Sequence, residues 1–344
     1  MDATDRPNVL IWDMTFACPL RCFHCYTESG RRPARNLDGQ DLFTVADALL
    51  SLNAELITLC GGEPLTIRRI VEVAGRFRAG GMRVYVYTSG WAAKPELLAE
   101  LARVVDKIVV SVDGPDPAVH DRIRGRAGSF AHCLRTLGLL NDQVERDLAA
   151  GLPPLRFGID YVTVRSNYAH MTRMCTEVAP RFPHLESLSF GAVVPTGLAS
   201  RPSFVERELL SDEQVTELTT PDFRQWLRAA APATVEVDTT DNFEVQMNPA
   251  YLAANPDFRP MEVEPDGAVR GMPIYEGTVG SLLTEDPVEL WQRSRARWHD
   301  PFVLDCLSRI RTRRDWAEAV RQIDRRFGSP EVVARIEARP ALVP

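Results

Sequence analysis

The chain has 344 residues, 45% of them hydrophobic, enough to bury a substantial core in one large α/β unit or in two domains. A net charge of −7 gives no bulk electrostatic reason for a nucleic-acid partner, and no apolar stretch approaches the roughly 18 residues of a membrane span. Seven cysteines, three of them in one short stretch, fit a metal site in a reducing compartment better than a disulfide framework.

The opening M-D-A-T-D-R-P-N has no apolar signal region, so the expected location is the cytosol. Val9 to Met14 reads as a buried strand, followed by T-F-A-C-P-L-R-C-F-H-C-Y. Cys18, Cys22 and Cys25 are spaced C-x3-C-x2-C, so three thiolates can reach one metal centre from a single loop. Iron–sulfur clusters normally take four such ligands. Three local ligands leave one iron open to an exogenous ligand. A Cys3His zinc site using His24 has the right ligand count, but it requires paired ligand arms rather than one loop.

Leu37 to Leu52 has helical spacing with Asp38 as N-cap. Glu55 to Cys60 is a second apolar strand, ending in Gly61-Gly62-Glu63-Pro64. Two glycines let backbone approach a ligand closely, and a carboxylate beside them can accept charge-assisted hydrogen bonds from an ammonium group. The alternation continues with a helix over Ile67 to Ala79, a strand over Met82 to Thr88, a helix over Lys94 to Val104 and a strand over Lys107 to Val112. A helix over Ser129 to Leu148, a strand over Leu155 to Val164, a helix over Tyr168 to Val178 and a strand over Leu185 to Val194 follow. Near-continuous apolar strands alternating with helices predict parallel βαβ units.

The cysteine spacing, together with Gly-Gly-Glu-Pro after the second strand, resembles the signature of the radical S-adenosylmethionine (radical SAM) enzymes. That resemblance implies an α/β fold, a partial (β/α)6 TIM-like barrel with its chemistry at the carboxyl ends of the strands. It implies a single [4Fe–4S] cluster on Cys18, Cys22 and Cys25, with S-adenosylmethionine chelated to the open iron. Reductive cleavage would then release a 5′-deoxyadenosyl radical that takes hydrogen from a substrate C–H. Glu63 and the backbone at Gly61 and Gly62 are assigned to the cofactor's amino group, and His24 fills the aromatic position before the last cysteine. Ser89 and Ser111, at the ends of the third and fourth strands, are assigned to its ribose or methionine part. Asp113 is read as a turn cap.

His120-Asp121-Arg122-Ile123-Arg124-Gly125 with Gly128-Ser129-Phe130 resembles the peptide-modifying branch of the superfamily. By that resemblance Arg124 would bind the cofactor carboxylate and Asn167 the ribose. His120, His132, His170 and His184 read as surface or internally satisfied residues. Cys133 and Cys175 read as buried apolar residues. Cys60, at the barrel mouth, is a candidate hydrogen-atom donor to a substrate radical.

Asp212 to Ala230 is the expected last helix of a core spanning residues 1–230, beyond which the alternation is expected to stop. In the remaining 231–344, Glu262 to Arg270 reads as two short strands joined by Pro-Asp-Gly. This tail resembles the SPASM or twitch extension of the same branch, stripped of its cysteines. Met272 stands where the first ligand is expected, Cys306 is alone, and no auxiliary cluster is expected. Arg293 to Arg314 reads as a solvated basic face. The resemblance implies an external one-electron donor, flavodoxin-like or ferredoxin-like. The substrate expected from that branch is a ribosomally made peptide, with a small specialised metabolite as the alternative.

Overall fold

A computed structural model describes residues 6–342; the start of the opening segment, residues 1–5, lies outside them. Ten strands form one sheet in the order β10-β9-β8-β1-β2-β3-β4-β5-β6-β7. They are β1 Val9–Asp13, β2 Leu56–Cys60, β3 Arg83–Thr88, β4 Lys107–Ser111, β5 Arg156–Thr163, β6 Ser187–Ala192, β7 Glu236–Thr240, β8 Pro260–Val263, β9 Ala268–Arg270 and β10 Thr278–Ser281. Every neighbouring pair from β1 to β7 is parallel, and β8 lies parallel to β1 on its other side. The strands are joined by crossover helices, among them α1 Gly39–Ser51, α2 Ile70–Ala79, α3 Pro95–Leu101, α4 Pro117–Arg124 and α5 Ser129–Ala149. This is the expected partial-barrel architecture.

Strand alternation separates the two faces. Leu10, Trp12, Ile57, Leu59, Val84, Val86, Ile108 and Val110 are almost wholly buried and join one core with helix residues such as Leu42, Val45 and Leu49 of α1. The Leu42, Val45, Ala46, Leu49 spacing gives α1 one apolar stripe. Asp38 does stand at its N-cap, but its side chain makes no capping hydrogen bond. On the opposite face, Thr58, Tyr85, Tyr87, Lys107, Asp160, Ser187 and Ser189 are only half-buried. Small and polar side chains there leave the lumen unfilled, whereas closed barrels pack theirs with bulky aliphatics.

The sheet crosses the boundary expected after residue 230. β7 extends it beside β6, and β8 extends it beside β1 with Val9 opposite Pro260 and Ile11 opposite Glu262. β7 shows no apolar run in its sequence, because Glu236 and Asp238 are exposed and only Val237 and Thr239 are buried. Tyr168 to Val178, expected as one helix, is a 3-10 turn, a short α turn and a π turn over Met174–Val178. Pro180 has no N–H to continue an α ladder there. Among the described residues no helix is long and apolar enough to cross a membrane.

The hairpin of β8 and β9 is fastened by a buried charge. Arg270, wholly buried, stands 3.3 Å from carboxylate oxygens of both Glu262 and Glu264 and donates to the Tyr275 carbonyl at 3.2 Å. Burial pushes the Glu262 carboxyl up to about 8, against the opposing pull of Arg270. Removing the guanidinium would strand two buried carboxyls. Arg270→Ala is therefore expected to cost about 3–5 kcal/mol, read as a lower urea midpoint with an unchanged slope.

Candidate active site

The three-cysteine loop leaves the carboxyl end of β1 and is gripped from several sides. Gly62 N–H donates to the Thr15 carbonyl at 2.6 Å and Glu63 N–H to the Ala17 carbonyl at 3.0 Å. Arg21 and Phe23 donate to the carbonyls of Arg124 and Ile123 at the end of α4, at 3.0 and 3.1 Å. Leu198 N–H reaches the Cys25 carbonyl at 3.0 Å, and the Arg201 guanidinium reaches the Phe23 carbonyl at 2.8 Å. The glycine pair is required by this contact. A Cβ at Gly62 would lie 2.1 Å from the Ala17 oxygen, and Gly61 has φ +107° with a Cβ site 2.7 Å from the Thr15 oxygen.

Cys22 is buried, and Cys18 and Cys25 are half-buried. Burial pushes the Cys18 thiol up to about 12 and the Cys22 thiol up to about 11, so ligation must release their protons. Among the described residues no three His, Cys, Asp or Glu groups are arranged to hold one metal ion. Each thiolate of a cluster binds a different iron, so convergence on one point is not required. It would be required for zinc, and His24 is committed elsewhere.

His24 Nε2 bonds Asp113 Oδ2 at 2.9 Å, and Arg124 Nε lies 2.6 Å from the same oxygen. Asp113 is wholly buried at the end of β4 and does far more than cap a turn. Its Oδ1 accepts from Val162 N–H at 3.0 Å, its own N–H donates to His120 Nδ1 at 3.0 Å, and its carbonyl accepts from Asn167 Nδ2 at 3.1 Å. Burial alone would raise its carboxyl, but the Arg124 guanidinium and His24 hold it well below the ordinary value. Burial and Arg124 push His120 down to about 4, leaving it neutral at physiological pH. Nothing in the linear sequence joins Asp113 to His24 or Arg124; only the fold does.

Arg124 also places Nη1 3.9 Å from Cys22 Sγ, while its Nη2 is buried with no hydrogen-bond partner among the described residues. That free donor suits a carboxylate arriving from a cofactor. Asn167 is differently committed: its oxygen accepts from Val164 N–H at 2.8 Å, and its amide donates to the Asp113 and Val162 carbonyls. The wholly buried Glu63 carboxylate accepts from Leu65 N–H and Thr88 Oγ1 on one oxygen, at 3.1 and 2.7 Å. Its other oxygen accepts from the N–H of Ser89 at 2.9 Å and from the Ser89 hydroxyl. Burial raises the Glu63 carboxyl and these bonds oppose the rise. With about four acceptor sites filled, Glu63 and Ser89 lock the end of β2 to the end of β3. Ser111 sits one layer lower, half-buried on the lumen face.

Cys60 pairs in register with Asp13. Its thiol donates to Asp13 Oδ1 at 3.5 Å, and the Tyr26 hydroxyl donates to the same oxygen at 2.7 Å. Burial and the Asp13 charge raise this thiol well above its ordinary value, so it remains S–H. In the tail, Met272 is buried and Cys306 donates to Gln322 at 3.6 Å.

Comparison with known proteins bears on this arrangement. Residues 12–155 match the Radical SAM superfamily. The chain carries a radical SAM domain. The AdoMet-dependent heme synthase of Methanosarcina barkeri is 33% identical over 139 residues, 40% of each chain. The mycofactocin maturase MftC of Mycolicibacterium smegmatis is 32% identical over 158 residues, 45% of this chain and 40% of that protein. The chain thus aligns with about two-fifths of the length of each. SuiB of Streptococcus suis, solved with its precursor peptide SuiA, superposes with a TM-score of 0.64 at 13% identity, covering 89% of this chain and 68% of that one. That likeness is one of fold. In the radical SAM domain the three thiols, the glycine approach and the free Arg124 donor together fit a cluster with a chelated amino-acid cofactor.

Replacing Asp113 would leave Arg124 buried and unpaired. Asp113→Asn is expected to cost about 3–5 kcal/mol at neutral pH and to lower iron retention after reconstitution. The native carboxylate has a depressed value, so its contribution is present above the unfolded value near 3.9 and is lost as pH falls below it. The gap between wild type and variant should therefore close on acidification, measured by urea unfolding at several pH values.

Proposed function

We propose that the protein is a radical SAM enzyme that modifies a ribosomally made peptide. The carrying observation is the cysteine loop seated on Gly61-Gly62-Glu63 and tied through His24 and Arg124 to Asp113. Cys18, Cys22 and Cys25 would hold one [4Fe–4S] cluster, and Arg124 with the Gly61–Glu63 segment would hold S-adenosylmethionine; His24, Ser89, Ser111 and Asn167 shape that pocket. When bound, the cluster and S-adenosylmethionine supply a 5′-deoxyadenosyl radical that removes hydrogen from an unactivated C–H position. The relatives that include a mycofactocin maturase support a peptide as substrate. Similarity to a heme synthase favours, as the second reading, the same chemistry on a small metabolite. An external one-electron donor in the cytosol completes the system. Residues 231–344 act as a SPASM-like or twitch-like extension without a second cluster.

Cys60 is the proposed hydrogen-atom donor. Its S–H bond breaks as the product C–H forms, and one electron from the external donor with one proton restores the thiol. Asp13 and Tyr26 keep the sulfur protonated and aimed. After anaerobic reconstitution with S-adenosylmethionine and dithionite, wild type should form 5′-deoxyadenosine by mass spectrometry and Cys22→Ala should not. Absence of product from a fully iron-loaded wild type, with no change in its EPR spectrum on adding S-adenosylmethionine, would overturn the reading. In deuterated water, Cys60→Ala should lose solvent deuterium from the substrate carbon while still forming 5′-deoxyadenosine.

A further inference from the structure

The lumen contains a cavity of about 270 Å³ that none of the cofactor assignments uses. Its walls come from five adjacent strands, β3 to β7, and include the rings of Tyr85 and Tyr87. The register shows how it is oriented. Asp160 is level with Ser111, the last residue of β4, and with Ser189 of β6, which is level in turn with Asp238 of β7. Asp160 is therefore at the inner end, two residues along the chain direction from the level of Asp113, while Lys107 lies at the opposite end of β4.

The polar groups of this cavity are not equally free. Lys107 is engaged by Ser187 Oγ at 2.8 Å and by Glu186 at 3.4 Å, and Asp238 is met by Arg224 at 3.3 Å. The Asp160 carboxylate has no hydrogen bond or ion pair among the described residues, although its strand is otherwise fully paired. A half-buried carboxylate on the wall of a cavity with no protein partner is open to one supplied by a ligand. Burial, followed by repulsion from Asp113, pushes this carboxyl up to about 6, so it is largely ionised at pH 7.5.

We propose that this cavity is the substrate pocket, and that Asp160 receives a cationic N–H group, a guanidinium or ammonium, on the substrate residue that enters it. The inference rests on the radical SAM reading and narrows its substrate class to a peptide with a basic side chain at or beside the modified position. Tyr85 and Tyr87 flank the aliphatic stem and add cation–π attraction, while Ser189 offers a second acceptor beside Asp160. Asp160, level with Ser111, is the cavity residue two positions short of the level of Asp113, so the charged end of the bound residue points towards the carboxyl ends of the strands.

The test uses reconstituted holoenzyme with S-adenosylmethionine at pH 7.5 and four probes: the Nα-acetyl amides of arginine, lysine, norleucine and glutamate. Binding is followed by saturation-transfer NMR on wild type, Asp160→Asn and Asp160→Glu, with thermal melting to report folding. Wild type should bind the arginine or lysine probe about tenfold more tightly than norleucine, the size expected of one charge-assisted hydrogen bond. Asp160→Asn should reduce that preference to within about twofold, and Asp160→Glu should retain most of it. Equal binding of all four probes by wild type, or a preference that survives in Asp160→Asn, overturns the proposal. If Asp160→Asn does not fold, the wild-type preference and its retention in Asp160→Glu decide. Formation of 5′-deoxyadenosine without any probe is scored separately, so failure of the radical chemistry is distinguishable from failure of the pocket assignment.

Discussion

The site depends on one buried carboxylate. Asp113 holds His24 from the cysteine loop, Arg124 from α4, Val162 from β5 and Asn167 from the turn after β5. These groups come from four separate parts of the chain. Without a shared anion, the guanidinium of Arg124 would be buried beside neutral thiols with nothing to compensate it. With it, the loop that presents Cys22 is held to the ends of β4 and β5, and one guanidinium donor remains free for a ligand.

A second set of charges fixes the loop from the other side. Glu28, just past the last cysteine, is buried and bonded by Arg335 and Arg339 at the end of the chain, the latter at 2.7 Å. Arg335 also reaches Glu276 at 2.8 Å. The helix Pro330–Glu337 and the residues just after it are thus structural partners of the cysteine loop rather than a remote appendage. The β8–β9 hairpin makes the same connection through β1, the strand that launches the loop. A tail with few cysteines can still contribute to the site by positioning.

The lumen follows the opposite rule from the core behind the sheet. Where helices cover the strands, alternate residues are aliphatic or aromatic and wholly buried. Where the strands face inward, Asp160, Ser187 and Ser189 are short polar side chains and only half-buried. A chain that gives up packing there loses stability but gains a cavity lined by β3 to β7.

The sequence alone determined the local chemistry. Cys18, Cys22 and Cys25 lie close enough in the chain that one loop must bring them together, and Gly61-Gly62 announces a close backbone approach. Apolar strands alternating with helices also specify the parallel sheet, because periodicity and burial are local properties. The tertiary structure decided what depends on long separations. Asp113 looks like an ordinary turn residue until folding brings His24 and Arg124 to it, 89 residues away in the first case. Glu63 reads as a ligand group, yet its carboxylate is filled by Thr88 and Ser89 across the β2–β3 boundary. β7 is hidden because its lumen-facing residues are acidic, and β8 gives no local sign that it will pair with β1. Motifs are legible where ligands are neighbours in the chain; ion pairs and sheet edges are not, because their partners are chosen by packing.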